Sequence, residues 1–185
     1  MTKIILFVGG SLGLAWVSRV SIRRPGSHGF YRFFAWECIL GLFVINFQGV
    51  GEWFADPFCS RQLVSWVLLF GSIVPVSWGA YLLRTRGGAG ADPDRRELYG
   101  FEKTTQLVSV GIFRYIRHPL YCSLLLLAWG VFAKRPSWFA LGLAVTATAL
   151  LVLTARAEEA EDRGYFGVAY EAYMRRSKMF VPFVL

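Results

Sequence analysis

Five apolar segments recur along this chain, with basic residues crowded into alternate gaps between them. They are Ile4 to Val20, Phe33 to Val50, Leu63 to Leu83, the shorter Leu120 to Ala133, and Trp138 to Ala155. A helix needs about 20 mostly apolar residues to cross the hydrocarbon core of a bilayer, with a range of roughly 17–25. The expectation is therefore an all-α, multi-pass membrane protein. It has about five transmembrane helices and a carboxyl-terminal amphipathic helix on the cytoplasmic side. Composition agrees: 55% of the 185 residues are hydrophobic and 17% charged, with a mean hydropathy of +0.45. A soluble domain of this size cannot hide that much apolar surface. An aromatic content of 17% excludes a disordered chain. Three scattered cysteines, Cys38, Cys59 and Cys122, do not form a disulfide framework.

The first segment follows Lys3 like a signal peptide, but no small-x-small cleavage site comes after it, so a retained span is expected. The second carries Glu37, Asn46 and Gln48, and the third holds Pro75 and Ser77. Glu37, ionisable at membrane depth, is a weak candidate for function, with Arg32 near enough to pair with it. His28 lies in a basic stretch and reads as solvated.

Basic residues orient the spans. Of the 20 Lys and Arg, all but Lys3, Arg61, Lys134 and Arg135 fall on one side of the expected topology. That side is the cytoplasm by the positive-inside rule, which leaves the amino terminus outside. The net charge of +8 then suits anionic lipid headgroups and requires no nucleic acid. Bacterial inner membrane and endoplasmic reticulum both remain open. One integral domain spans 1–185, with amino-terminal spans and a loop in 1–104 and a second half in 105–185. Within the loop, Gly87 to Gly90 and Asp92-Pro93-Asp94 read as turns, and Arg95 to Lys103 as a short surface helix or a loop.

Two clusters look chemical, and both fall on the basic side. The first runs from Gln106 to Tyr121 and contains Arg117-His118-Pro119. Proline suits the first turn of a helix, where free backbone donors and the helix dipole favour an anion. Arg117 can grip such a group with two hydrogen bonds, and His118 can donate a hydrogen bond or move a proton. Composition alone favours a plainer reading, with Arg114 and Arg117 as membrane anchors and His118 as a helix cap. The second cluster is Glu158-Glu159, followed by Phe166-Gly167, Tyr170 and Tyr173. Paired carboxylates at a membrane boundary need water, cations or donors. The plainer reading is an acidic start to a solvated helix. Phe166, Tyr170 and Tyr173 are spaced for one face of that helix. No phosphate loop, nucleophile elbow or dinucleotide fingerprint occurs. Two histidines and scattered cysteines argue against a metal.

The ordered set resembles the membrane methyltransferases of the isoprenylcysteine carboxyl methyltransferase and phospholipid methyltransferase group. The matching residues are Leu107-Val108, Gly111, Phe113, Arg117-His118-Pro119-Leu120-Tyr121, Glu158-Glu159, Phe166-Gly167, Tyr170, Tyr173 and Pro182. The resemblance covers roughly Thr105 to Pro182 and says nothing of the first three spans. It implies S-adenosylmethionine as cofactor, bound without a dinucleotide-binding domain. Thr105, Gln106, Leu107, Val108, Phe113, His118, Leu120, Tyr121 and Glu158 are then the expected cofactor contacts. Arg117, His118 and Glu159 are the expected catalytic residues. The methyl acceptor is lipophilic or small: a prenylcysteine-like carboxylate, a phospholipid amine or a thiol. Phe113 stands where the family usually has Tyr. Thr154 stands where the prenylcysteine enzymes carry an Arg for their substrate, which counts against a carboxylate acceptor more than against methyl transfer. Two rivals remain: an NADPH-dependent membrane reductase of the sterol-reductase type, and a non-enzymatic membrane protein.

Overall fold

A computed structural model describes residues 1–47, 50–88 and 104–181. Gln48, Asp92-Pro93-Asp94, the charged run from Arg95 to Lys103 and Pro182 lie outside the described residues. Every regular element in the described residues is helical: α1 Thr2–Val17, α2 Arg19–Ile22, α3 His28–Phe47, α4 Ser60–Arg86, α5 Pro119–Lys134, α6 Trp138–Phe166 and α7 Val168–Met174, with short 3-10 turns at Val50–Trp53 and Gly111–Arg114. One isolated parallel bridge joins Ile116 and Lys178.

Each apolar run became a helix, with altered ends. His28–Asn46, Ser60–Arg86 and Trp138–Phe166 are long and apolar enough to cross a membrane. The helices α1 and α5 are apolar but have 16 residues each, about 24 Å at 1.5 Å per residue. α4 stays helical through Pro75. α6 differs most from expectation. It was expected to stop near Ala155, but it continues to Phe166 as one helix of 29 residues. Ala, Glu and Arg are strong helix formers, so a polar run rich in them extends a helix already nucleated by the apolar run before it. Glu158 and Glu159 therefore sit within a continuous helix and do not begin a new one.

α4 packs along α5, α3 along α6 and α1 along α3, and α5 also meets α6. Small residues make the close approaches, as in membrane helix pairs. Ala140, Ala144 and Ala147 of α6 are fully buried with Leu42 of α3 and Ala128 and Val131 of α5. Ser65 Oγ donates to the Gly130 carbonyl at 2.7 Å, tying α4 to α5. Large apolar side chains face outward, among them Leu12, Trp16, Val67 and Phe70. A soluble monomer rarely exposes apolar surface on that scale.

Lys134, one of the few basic residues counted on the outer side, is only 1% exposed. Its ammonium donates to Gln62 Oε1 at 2.8 Å and stands 3.2 Å from the Trp66 ring centroid. Arg61 caps the carbonyls of Ala133 and Lys134. Hydrogen bonding and cation–π attraction together make the burial of this charge tolerable.

Candidate active site

At the opposite end of the bundle from Lys134, α4, α5 and α6 meet the segment that precedes α5. This segment starts at the end of α4: Thr105 N donates to the Gly87 carbonyl at 2.9 Å, and Thr105 Oγ1 to the Gly88 carbonyl at 3.0 Å. It turns at Gly111, where φ is +60° and a Cβ would lie 2.6 Å from Leu82 Cδ1. Only glycine meets both demands without strain. Phe113 and Val108 then bury against Leu82. Arg117 N donates to the Lys178 carbonyl at 2.7 Å and Lys178 N to the Tyr115 carbonyl at 2.9 Å, so the chain after α7 runs beside this segment. α5 begins with Pro119 in its first turn, preceded by His118.

His118 was considered as a cap, but its side chain makes no capping bond. The buried imidazole faces α6 instead. Its Nε2 is 3.2 Å from Glu159 Oε1, and its Nδ1 is 3.3 Å from Glu158 Oε2. Arg117 Nε donates to the same Glu159 Oε1 at 2.7 Å. The Arg117 Nη1 reaches the carbonyls of Met174 and Ser177. The Tyr121 hydroxyl bonds Glu158, and the Tyr121 ring stacks on His118 with centroids 5.5 Å apart. Burial disfavours charge on His118, but hydrogen bonds and charge from Glu158 and Glu159 outweigh it and raise its pKa to about 9. His118 is therefore a cation held between two carboxylates at neutral pH.

Above this network opens a cleft of about 690 Å3, counting its mouth. Eight of the eleven expected cofactor and catalytic residues line it: Leu107, Val108, Phe113, Arg117, His118, Leu120, Tyr121 and Glu158. Three do not. Thr105 and Gln106 are exposed and fasten the segment to α4. Glu159 lies behind Arg117 and His118. Phe166, Tyr170 and Tyr173 form an aromatic wall, but not on one helix. Gly167, at φ +58°, ends α6 and opens α7. The Phe166 and Tyr170 rings still stack at 6.4 Å across that break. Tyr173 donates from its hydroxyl to the Phe113 carbonyl at 2.7 Å, fixing α7 over the cleft. Burial pushes the phenols of Tyr170 and Tyr173 well above the usual tyrosine range, so both stay neutral.

Sequence reasoning missed Asp162, which lines the cleft. Its spacing of four from Glu158 was the available signal, once the helix is known to continue. It also misplaced His28, which is not solvated but 1% exposed. His28 Nδ1 lies 2.6 Å from Glu161 Oε2.

No curated protein and no solved structure matches this chain. A family model does: phospholipid methyltransferase, over residues 94–166. That range, under half of the chain, contains both clusters and most of the cleft lining. Most of the cleft lining thus lies in the segment that is similar to the phospholipid methyltransferase family, the group that the motifs resemble.

Proposed function

We propose that this protein is an integral membrane methyltransferase that holds S-adenosylmethionine in the cleft and methylates an amine on a lipid headgroup. The observation that carries the reading is the ring of Arg117, His118, Glu158 and Glu159 beneath an aromatic cleft. The lining suits the cofactor. Carboxylates at Glu158 and Asp162 and the rings of Phe113, Tyr121, Phe166, Tyr170 and Tyr173 favour a cationic ligand with a flat base. Bound there, S-adenosylmethionine supplies an electrophilic methyl group. Glu158 and Asp162 would take its polar groups, the aromatic rings its base, and α7 would exclude water.

The protein's own task is alignment and desolvation. Arg117 and Glu159 fix the His118 ring, and His118 in turn orients Glu158 toward the cleft. His118 keeps its proton to about pH 9, so it orients charge and is a poor base at neutral pH. An amine acceptor must shed a proton, and of the carboxylates lining the cleft Asp162 is the candidate to receive it, because Glu158 is committed to His118. The amine is favoured over a carboxylate by charge. Arg117 is already paired to Glu159, and Thr154 Oγ1 is turned back to the Leu150 carbonyl at 2.8 Å. Neither offers a free cation to a carboxylate.

In this reading all five apolar helices cross the bilayer. The two shorter ones need local thinning of the membrane or snorkelling at their ends. The amino terminus lies outside, the cleft opens on the cytoplasmic side, and 105–185 is the catalytic half. The test is transfer of labelled methyl from S-adenosylmethionine in nanodiscs carrying either phosphatidylethanolamine or a prenylcysteine. Label on the amine lipid is expected. Label on the carboxylate alone would overturn the acceptor, and label on neither would count against the enzyme.

A further inference from the structure

His28 lies far from the family match in sequence, at the first residue of α3. From α6 it meets Glu161, and that contact is two-pronged. The His28 Nδ1 meets Glu161 Oε2 at 2.6 Å, and the His28 backbone N–H donates to Glu161 Oε1 at 3.2 Å. A carboxylate at a helix amino terminus is also favoured by the helix dipole. The His28 Nε2 is buried and has no hydrogen-bond partner, so the ring is held through Nδ1. Farther along, the α3–α6 seam is apolar, with Ala35, Ile39 and Leu42 against Ala144, Ala147 and Leu151. Such contacts resist separation but resist sliding and rotation less than a directed pair of hydrogen bonds does.

Glu161 stands one turn beyond Glu158 on the same helix, and residues three apart share a face. We infer that His28 is a positioning residue: through Glu161 it sets the rotation of the polar end of α6, so that Glu158 meets His118. The amino-terminal spans, which carry no motif of their own, thereby help to build the site. The charged groups around His28 are Glu161, Glu158 and Arg32. Those around His118 are Glu158 and Glu159, with Arg117 behind Glu159. The inference rests on the methyltransferase reading only for its consequence in binding.

The chain has two histidines, so His28→Ala leaves His118 as the sole imidazole in an NMR titration. The expected result is that His118, at about 9 in the intact network, titrates well down toward the ordinary histidine value in His28→Ala. His28→Asn, whose side-chain amide can donate to Glu161 in place of Nδ1, should restore it. Glu161→Gln breaks the pair from the other side and should displace His118 in the same direction, which covers the case of a His28→Ala that does not fold. A folded His28→Ala or Glu161→Gln with His118 unmoved would overturn the inference, as would a His28→Asn no better than His28→Ala. Affinity for S-adenosylhomocysteine, measured on the same samples, should fall roughly tenfold or more in His28→Ala, as misplaced site groups do. A wild type that binds none, with the His118 displacement still present, would sink the cofactor reading and leave the positioning role standing.

Discussion

Glu159 and Arg117 meet at 2.7 Å with side chains 6% and 9% exposed, a nearly dry ion pair beneath the cleft. Removing one partner of a buried pair costs up to about 3–5 kcal/mol, and loss of Arg117 leaves Glu159 with His118 as its remaining cation. Arg117→Ala should therefore lower the thermal unfolding midpoint of the detergent-purified protein strongly. Arg117→Lys should recover little, since an ammonium cannot reproduce a planar fork that serves Glu159 and two backbone carbonyls at once. An Arg117→Ala protein as stable as the wild type would remove the pair from the account.

The His118 cluster carries a pH signature. Its folded pKa of about 9 is above the ordinary 6.5. Its contribution to stability is thus fully present below about pH 6.5, declines as pH rises, and is lost as pH passes about 9. Above that, Glu158 and Glu159 face each other without the cation between them. Unfolding midpoints recorded from pH 6 to 10 should fall across this window for the wild type. The fall should be blunted in His118→Gln. Parallel curves for the two proteins would contradict the assignment.

Tyr173→Phe removes one hydroxyl and little volume. The lost bond to the Phe113 carbonyl is buried, so the carbonyl is left unpaired at a cost of about 1–3 kcal/mol. The variant should expose the end of α7, read as faster amide exchange over Val168–Met174. Exchange rates unchanged there would show that the bond does not hold α7 in place.

Gly111→Ala tests the turn that feeds the cleft. The positive φ alone costs about 1–2 kcal/mol for a residue with a Cβ, and the added methyl meets Leu82 at 2.6 Å. Loss of folded protein, or a cleft that no longer binds ligand, is expected from size-exclusion profiles and ligand titration. Gly142→Ala is the control, because a Cβ there meets nothing within 4 Å.

Much of this arrangement was legible because it depends on local order. The apolar runs located the helices, and Pro119 located the start of α5. Two motifs flanking one helical hairpin put His118 and the Glu158-Glu159 pair at the same end of the bundle, but their direct pairing came only from the structure. What escaped depends on distant packing. His28 and Glu161 are 133 residues apart, and nothing near either one announces the other. The burial of Lys134 could not be read locally because the Trp66 and Gln62 that shelter it lie on α4. The run after Ala155 read as a separate tail because polarity marks the membrane boundary, but helix propensity does not stop there. Gly167 then broke a face that periodicity alone had drawn through Phe166, Tyr170 and Tyr173.

The central claim is that the cleft over Glu158 and His118 holds S-adenosylmethionine. Calorimetric titration of the detergent-purified protein with S-adenosylhomocysteine tests it most directly, alongside Glu158→Ala and His118→Ala. The account predicts saturable binding by the wild type that both substitutions weaken by at least roughly tenfold, the scale of one lost charge-assisted hydrogen bond. A folded wild type that binds no S-adenosylhomocysteine, or that binds NADPH in its place, would contradict it.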